Sequence, residues 1–335
     1  MKILITGVAG FIGSHVSEKL LYYGHEVVGI DNFDDFYPRE IKEKNLQKSL
    51  ANSRFTLVEL DITVMNAAFR KLYKLKFDAV IHLAAKAGVR PSIENPGAYM
   101  HTNVQGTLSI LELMREVKCN TLVFGSSSSV YGNNYNMPFE ESAPINKPIS
   151  PYAVSKICGE LLTYNYHKLY GFNVINLRFF TVFGPRQRPD LAIHKFAKKI
   201  SHHEPVEVYG DGTSGRDYTY IEDVVHGIVA AMIQALIRSN VYETVNLGNS
   251  NPIMLRVLIE KIEKLLDKKA DIIRQPKQDG DVDLTYANIE RAKIILEWAP
   301  MVSFDEGLKK FVDWYLAENE NPLDANPVSD TLLDS

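Results

Sequence analysis

A glycine-rich segment close to the N-terminus restricts the fold of this chain more than any other feature. Residues 7–13 read Gly-Val-Ala-Gly-Phe-Ile-Gly, between an apolar run at 2–6 and a helical pattern at 11–23. Glycines at such a junction let the backbone turn tightly and approach a pyrophosphate. The N-terminus of the following helix offers free N–H groups and a partial positive charge. The segment therefore predicts a strand, a phosphate-binding turn and a helix, as at the start of a dinucleotide-binding fold.

Strand-like and helical patterns continue to alternate through the first half of the chain. Further apolar runs lie at 26–30, 55–60, 79–83, 121–124 and 174–177, and longer helical patterns at 98–117 and 152–170. The apolar runs lack polar alternation, which is typical of strands buried on both faces of a parallel sheet. We therefore predict an α/β fold with a doubly wound, parallel, Rossmann-type sheet.

The pattern changes after about residue 180, where glycine and proline cluster at 184–185 and 210–212. Helical patterns at 191–201, 221–237 and 255–266 are separated by shorter extended pieces. We expect a dinucleotide-binding domain at 1–180 that also carries the catalytic residues. A smaller C-terminal α/β part at 181–318 would bind mainly the substrate, and the polar tail at 319–335 would fray.

Composition excludes several classes of protein. Among 335 residues, Lys plus Arg number 37 and Asp plus Glu number 41, so the basic excess typical of nucleic-acid binding is missing. Two cysteines, Cys119 and Cys158, make neither a disulfide framework nor a metal-ligand set. The chain shows neither a signal-peptide pattern nor an apolar run of about 18 residues. We expect a cytoplasmic protein that binds no nucleic acid, membrane or metal.

Two aspartates follow strand-like runs at the edge where ligands of parallel sheets bind. Asp31 closes the second run, 18 residues after Gly13. A carboxylate there can accept hydrogen bonds from both ribose hydroxyls of an adenosine and would repel a 2′-phosphate, which favours NAD over NADP. The alternative is a tight turn with a capping aspartate. Asp61 could bind the adenine amino group or cap the next helix.

A tyrosine and a lysine four residues apart, Tyr152 and Lys156, share one face of a helical pattern. The ammonium lowers the phenol pKa from about 10 toward the working pH, so Tyr152 could act as a base. Ser127, in the serine run 126–129, is the candidate to hydrogen-bond the oxygen whose charge changes as hydride leaves. Alternatively, these serines satisfy their own turn. A second pair with this spacing, Tyr164 and Lys168, lies within a helix and is interpreted as structural.

Together, the glycine segment, Asp31, the segment 126–132 and the Tyr152–Lys156 pair resemble the extended short-chain dehydrogenase/reductases over nearly the whole chain. The resemblance implies NAD as cofactor, a nucleotide sugar as substrate, and a homodimer formed through two long helices, here 98–117 and 152–170. In this family, dehydratases carry Asp-Glu at the positions of Ser128 and Ser129, and decarboxylases keep a Glu at the second. The serines therefore favour epimerisation.

Three local strings resemble the UDP-glucuronate 4-epimerases: residues 31–32 with 35–37, residues 85–90, and residues 178–192. Thr181 stands where UDP-galactose and UDP-N-acetylhexosamine 4-epimerases usually have Asn. A hexuronate carries a carboxylate, which a guanidinium can hold bidentately. The resemblance places Arg90, Ser127 and Thr181 near that carboxylate, whereas a surface ion pair is the alternative for each arginine.

The resemblance also implies a set of binding residues. Its cofactor contacts are Gly7, Gly10, Phe11, Ile12, Gly13, Asp31, Asn32, Asp61, Ile62, Leu83, Ala84, Ala85, Lys86, Asn103, Tyr152, Lys156 and Phe179. Its substrate contacts are Arg90, Ser127, Ser128, Tyr152, Thr181, Arg188, Val208, Arg216 and Asp281, with Arg188 and Arg216 on the diphosphate and Asp281 on the nucleotide ribose. Lys86 stands where relatives often have Gln.

Several activities remain possible at this point. The alternatives are a UDP-galactose or UDP-N-acetylhexosamine 4-epimerase, a UDP-glucuronate decarboxylase, and a catalytically silent NAD-binding scaffold. Thr181 and Arg90 argue against the first and Ser129 against the second. The complete set of Ser127, Tyr152 and Lys156 argues against the third. The resemblance implies interconversion of UDP-glucuronate and UDP-galacturonate through a transient 4-keto intermediate.

Overall fold

The structure is a computed structural model that describes residues 1–134, 136–276 and 282–319. Its strands are β1 (Lys2–Thr6), β2 (Glu26–Asp31), β3 (Phe55–Glu59), β4 (Ala79–His82), β5 (Thr121–Ser127), β6 (Asn173–Phe179), β7 (Thr181–Phe183), β8 (Val206–Tyr209), β9 (Gly215–Tyr220), β10 (Tyr242–Leu247), β11 (Pro252–Met254) and β12 (Ile272–Gln275). Its α-helices are α1 (Phe11–Tyr22), α2 (Arg39–Leu50), α3 (Ala67–Leu72), α4 (Val89–Glu94), α5 (Pro96–Tyr99), α6 (Gly106–Val117), α7 (Pro151–Tyr170), α8 (Ala192–Ser201), α9 (Ile221–Ile237), α10 (Leu255–Leu266), α11 (Glu290–Leu296) and α12 (Phe304–Asn319).

A parallel sheet of seven strands, in the order β10-β6-β5-β4-β1-β2-β3, forms the centre of the molecule. The strand order reverses beside β1, because β2 lies on one side of it and β4 on the other. The carboxyl ends on both sides of such a reversal form a crevice that accepts ligands. The predicted doubly wound α/β fold is confirmed.

The two faces of this sheet carry separate hydrophobic cores. Ile3 and Ile5 pack into one core, together with residues of α1 and α9. Leu4 points to the opposite face and packs with residues of α6. Because successive side chains of a strand alternate between faces, both faces must be covered for these apolar strands to be stable. This explains why the strand-like runs of the sequence show no polar alternation.

The C-terminal half contributes to the central sheet as well as to two smaller ones. Its strand β10 pairs in parallel with β6, beyond the boundary that the sequence analysis placed at residue 180. The other strands form a three-stranded sheet, β11-β9-β7, and a two-stranded sheet, β12-β8. Strand β7 follows β6 after a single residue, so the small sheet starts at the carboxyl edge of the large one.

The helix predicted at 98–117 differs in detail from the structure. It consists of α5, a π-helical segment at Met100–Gln105, and α6. Asn103 of the π-helical segment is buried, and its side chain bonds to the backbone of Lys86 and to Ser155. A π-helical turn widens the helix locally and is frequent at functional sites. Within the described ranges, no helix combines the length and apolarity needed to cross a membrane.

Candidate active site

A cleft of about 500 Å³ lies at the carboxyl edge of the central sheet. Every implied cofactor contact except Asn103 lines it, as do Ser127, Ser128, Thr181 and Arg188. The topology brings these residues together because the strands that precede them are parallel and end at the same edge. Sequence reasoning missed several other lining residues, among them Asp34, Phe36, Tyr37, Lys42, Thr102 and Asp190.

The glycine turn at the start of the cleft tolerates no side chains at two positions. Gly7 has a φ of +70°, and a Cβ on it would lie 2.8 Å from the backbone nitrogen of Ala84. A Cβ on Gly13 would lie 2.1 Å from the carbonyl oxygen of Gly7. Helix α1 begins directly after this turn without a side-chain cap. Its first N–H groups can therefore bind an anion such as a pyrophosphate.

Asp31 lies in the cleft next to this turn. Its carboxylate accepts hydrogen bonds from the backbone N–H groups of Ala9 at 3.0 Å and Phe33 at 2.9 Å. Burial raises its pKa, and these two hydrogen bonds oppose the shift. A carboxylate can accept further hydrogen bonds on its remaining lone pairs. Asp31 therefore has the position and the chemistry to accept the two hydroxyls of an adenosine ribose.

Asp61 forms a turn at the next strand end. It accepts hydrogen bonds from the N–H and the hydroxyl of Thr63, both at 2.7 Å, and from the amide of Asn32 at 3.0 Å. Burial alone would raise its pKa, but these hydrogen bonds lower it on balance. Asp61 is therefore ionised at neutral pH and faces the cleft. The alternative that it caps the next helix is wrong, because Asn66 caps α3 by accepting from the N–H of Phe69.

Ser127, Tyr152 and Lys156 lie close together in the cleft. Ser150 caps α7 by accepting from the N–H of Ala153 at 3.1 Å, which places Tyr152 in the first turn of the helix. The Lys156 ammonium lies 5.9 Å from the centre of the Tyr152 ring and donates to the Gly125 carbonyl at 2.6 Å. The three side chains predicted as the catalytic group are therefore brought together by the fold.

The expectation that the Lys156 ammonium lowers the pKa of Tyr152 from about 10 is wrong, because burial raises that pKa instead. Burial raises the pKa of Tyr152, and a hydrogen bond with Ser127 and the charge of Arg188 oppose the shift. Burial lowers the pKa of Lys156 to about 8. Because the phenol is buried, it needs nearby positive charge before it can ionise. Arg188 supplies part of that charge, a role that the spacing of Tyr152 and Lys156 did not predict.

Lys86 reaches across the cleft to the loop after β2. Its ammonium forms an ion pair with Asp34 at 2.7 Å. The backbone of Lys86 is fixed from behind, because the side chain of Asn103 accepts from its N–H at 2.7 Å and donates to its carbonyl at 3.0 Å. Asn103 thus supports the cleft wall without lining it. Lys42 donates to the Asp34 carbonyl on the same loop.

The implied substrate contacts divide into two groups. Thr181 and Arg188 line the cleft, and Arg188 makes a bidentate ion pair with Asp190 at 2.9 and 2.7 Å. Arg90 is exposed outside the lining residues, with its guanidinium 4.8 Å from the centre of the Tyr209 ring.

Two further implied contacts also lie away from the cleft lining. The Val208 side chain packs in the core, and the Arg216 guanidinium donates to the Gly215 carbonyl at 2.9 Å. Asp281 lies outside the described residues. Substrate contact at Arg90, Val208, Arg216 and Asp281 stays a prediction.

Comparison with known proteins identifies the family. The family model described as GDP-mannose 4,6 dehydratase matches residues 4–311, so the chain belongs to this family of extended short-chain dehydrogenase/reductases. The chain is 44% identical over 322 residues to the uncharacterized protein MJ1055 of Methanocaldococcus jannaschii, covering 96% of this chain and 97% of that protein. It is 43% identical over 312 residues to the UDP-glucuronate 4-epimerase of Thermodesulfobacterium geofontis, covering 93% of this chain and 95% of that protein.

A solved structure is also similar over the full fold. The UDP-glucuronic acid 4-epimerase of Bacillus cereus, in complex with UDP-glucuronic acid and NAD, superposes with a TM-score of 0.89 at 36% identity. The match covers 95% of this chain and 100% of that chain. At this identity and coverage, the likeness extends beyond the shared fold to the particular class of epimerase.

Proposed function

We propose that this chain is an NAD-dependent 4-epimerase that interconverts UDP-glucuronate and UDP-galacturonate through a transient 4-keto intermediate. The observation that carries the proposal is that Ser127, Tyr152 and Lys156 line the same cleft as the glycine turn. The relatives named UDP-glucuronate 4-epimerase support the choice of substrate, as does the similar structure in complex with UDP-glucuronic acid and NAD.

The residues of the cleft fit NAD. The close approach of Gly7 and Gly13 to neighbouring backbone forms a cradle that side chains would fill. Asp31 would hold the adenosine ribose, and its charge disfavours a 2′-phosphate. Bound NAD would supply the chemistry of accepting a hydride from carbon 4 of the sugar and returning it. Because the cofactor is regenerated in each cycle, we expect it to stay bound to the purified protein.

The chain's own residues move the proton and hold the sugar oxygen. Tyr152 takes the proton of the 4-hydroxyl as the carbon–hydrogen bond breaks, and returns it when the ketone is reduced. Ser127 holds the same oxygen, and the charge of Arg188 favours the phenolate. The Lys156 ammonium lies 5.9 Å from the centre of the Tyr152 ring. The sugar must present either face of carbon 4, so it has to turn while the nucleotide remains anchored. Ser128 and Ser129 provide no acid or base for loss of water.

A product assay without added cofactor tests the proposal. Purified protein is incubated with UDP-glucuronate alone, and the products are followed by proton NMR. We expect UDP-galacturonate and no carbon dioxide. A UDP-pentose would instead identify a decarboxylase, and turnover of UDP-glucose but not of UDP-glucuronate would identify a neutral-sugar epimerase. The variant Tyr152→Phe should lose at least about a thousandfold in kcat while keeping its bound NAD.

We further propose that the chain acts as a cytoplasmic homodimer. The proposal rests on the family resemblance and on exposed apolar side chains of α7, namely Leu161, Tyr164 and Leu169. An apolar helix face of this kind is stabilised when a second copy covers it. Light scattering should give twice the chain mass for the wild type. A monomeric wild type, or a Leu161→Glu variant that remains fully dimeric, would contradict an interface on α7.

A further inference from the structure

A buried ion pair lies directly behind the catalytic group. The side chains of Glu160, on α7, and Arg178, on β6, are 6% and 4% exposed. Two parallel hydrogen bonds join them, from Nε to Oε1 at 2.9 Å and from Nη2 to Oε2 at 2.8 Å. Burying two charges costs as much as their attraction returns, and apolar side chains often stabilise a core better. Stability alone therefore does not explain why this ion pair is buried here.

The ion pair is connected to the strand that carries Ser127. The hydroxyl of Ser126 donates to Oε1 of Glu160 at 2.6 Å. The preceding residue, Gly125, accepts from the Lys156 ammonium at 2.6 Å. Gly125, Ser126 and Ser127 are thus consecutive residues of β5. The first binds Lys156, the second binds Glu160, and the third faces the cleft. Helix α7 and strand β5 are joined at two points one helical turn apart.

The arginine extends the network to β10, the strand at one edge of the sheet. Its Nη1 donates to the Tyr131 hydroxyl at 3.0 Å and to the Glu141 carbonyl at 3.3 Å. The Tyr131 hydroxyl in turn donates to the side chain of Asn246, on β10, at 2.6 Å. Such complete hydrogen bonding holds the pair in one geometry. Three strands and α7 are thereby fixed relative to one another.

We propose that Glu160, Arg178 and Ser126 form a positioning network for the epimerisation, with two tasks. Ser126 and Glu160 hold Ser127 and Lys156 in register with Tyr152. Glu160 also keeps the Lys156 side chain in its ammonium form, and Arg178 balances the charge of Glu160. This inference rests on the function proposed above.

The charges around Lys156 agree with this assignment. Burial lowers the pKa of Lys156, and the negative charge of Glu160, one helical turn further along α7, acts against burial. On β4, His82 also faces the lysine, but burial first and then Lys156 lower its pKa to about 3, so it is neutral at working pH. Arg188 and Ser127 act on Tyr152, the other titratable member of the catalytic group. Among the described residues, Glu160 is therefore the anion that supports the ammonium.

The pH dependence of kcat tests the network, because its alkaline limb should move in opposite directions when Glu160 or Arg178 is replaced. In Glu160→Gln, Lys156 faces the uncompensated charge of Arg178, and the alkaline limb of kcat should move down by about one pH unit. In Arg178→Met, Glu160 is left without its partner, and the same limb should move up by a similar amount. Ser126→Ala changes no charge, so it should lower kcat about tenfold with an unmoved limb and an unchanged KM.

Two control variants distinguish an effect of charge on Lys156 from a loss of folded structure. Glu243→Gln removes a glutamate of β10 that pairs with Arg238 and Arg291, and it should leave the profile unchanged. The double variant Glu160→Gln with Arg178→Met lacks both charges, so its alkaline limb should lie between those of the two single variants. Limbs that move in the same direction in both single variants, or that do not move, would overturn the proposal.

The network can still be tested if the proposed function is wrong. Should the wild type give no UDP-galacturonate, the pH dependence of Lys156 acylation by acetic anhydride, measured by mass spectrometry, reports the same titration directly. The acylation midpoint should fall in Glu160→Gln and rise in Arg178→Met. Near-ultraviolet circular dichroism identifies any variant that has not folded. If a charge variant has not folded but the wild type is active, Ser126→Ala carries the test through its kcat and KM.

Discussion

At the scale of single residues, the structure distinguishes two arginines that could bind the substrate carboxylate, Arg90 and Arg188. The guanidinium of Arg90 lies over the Tyr209 ring, whereas Arg188 lines the cleft and acts on the charge of Tyr152. Arg90 follows Val89, a residue of the cleft wall. Both arginines can therefore be compared as anchors of the substrate carboxylate.

We predict that Arg90→Met lowers kcat/KM for UDP-glucuronate about a hundredfold and for UDP-glucose less than about threefold. A bidentate hydrogen bond to a carboxylate contributes about 2–3 kcal/mol, and a neutral hydroxymethyl group does not need it. Steady-state kinetics with both sugars measures the difference, with Arg188→Met as the comparison. Equal losses on the two sugars would exclude Arg90 as the carboxylate anchor.

The types of residue in the site and the strand ends that carry them could be predicted from the sequence. The contacts between individual side chains could not. The pattern located Asp31, Ser127 and Tyr152 because each follows a recognisable strand or opens a helix. The ion pair between Lys86 and Asp34 joins residues 52 positions apart, and no local spacing encodes it. The upward shift in the pKa of Tyr152 likewise depends on burial by distant segments.

At the scale of elements, the predicted strands and helices agree with the structure within a few residues at their ends. Helices α9 and α10 have the predicted bounds, since each has a strong apolar face and a clear end. The exception is the π-helical segment at Met100–Gln105. Asn103 in this segment bonds to Lys86 and Ser155, and a helical periodicity does not reveal such tertiary contacts.

The glycine turn between β1 and α1 gives a prediction about stability and NAD binding. We expect Gly13→Ala to lower the free energy of unfolding by about 2–3 kcal/mol and to abolish NAD retention, because its Cβ would meet backbone at 2.1 Å. Gly97→Ala is the matched control, since a Cβ there meets nothing within 4 Å. Urea denaturation and the NAD content of the purified proteins measure both effects. A Gly13→Ala protein with full NAD content would contradict the assigned role of the turn.

At the scale of the whole molecule, Asp217 joins segments that are distant in sequence. Its buried carboxylate accepts backbone hydrogen bonds from Asn249 at 2.7 Å, Ser250 at 3.0 Å and Ala287 at 2.9 Å. It thereby connects β9 with the loop after β10 and with the segment that precedes α11. Together with the pairing of β10 and β6, these bonds couple the C-terminal half to the central sheet. This coupling explains why composition alone could not place a sharp boundary at residue 180.

This junction should make stability depend on pH. Burial raises the pKa of Asp217 to about 6, against the opposing hydrogen bonds from the three N–H groups. Folding therefore favours the protonated carboxyl, whose contribution is complete below about pH 4 and is lost as the pH rises through 6. The difference from the ordinary pKa corresponds to about 3 kcal/mol. In Asp217→Asn this titration is removed, so the stability of the wild type relative to the variant should decrease between pH 4 and 6. Urea denaturation of both proteins across this range measures the decrease, and a constant difference would show that Asp217 keeps its ordinary pKa.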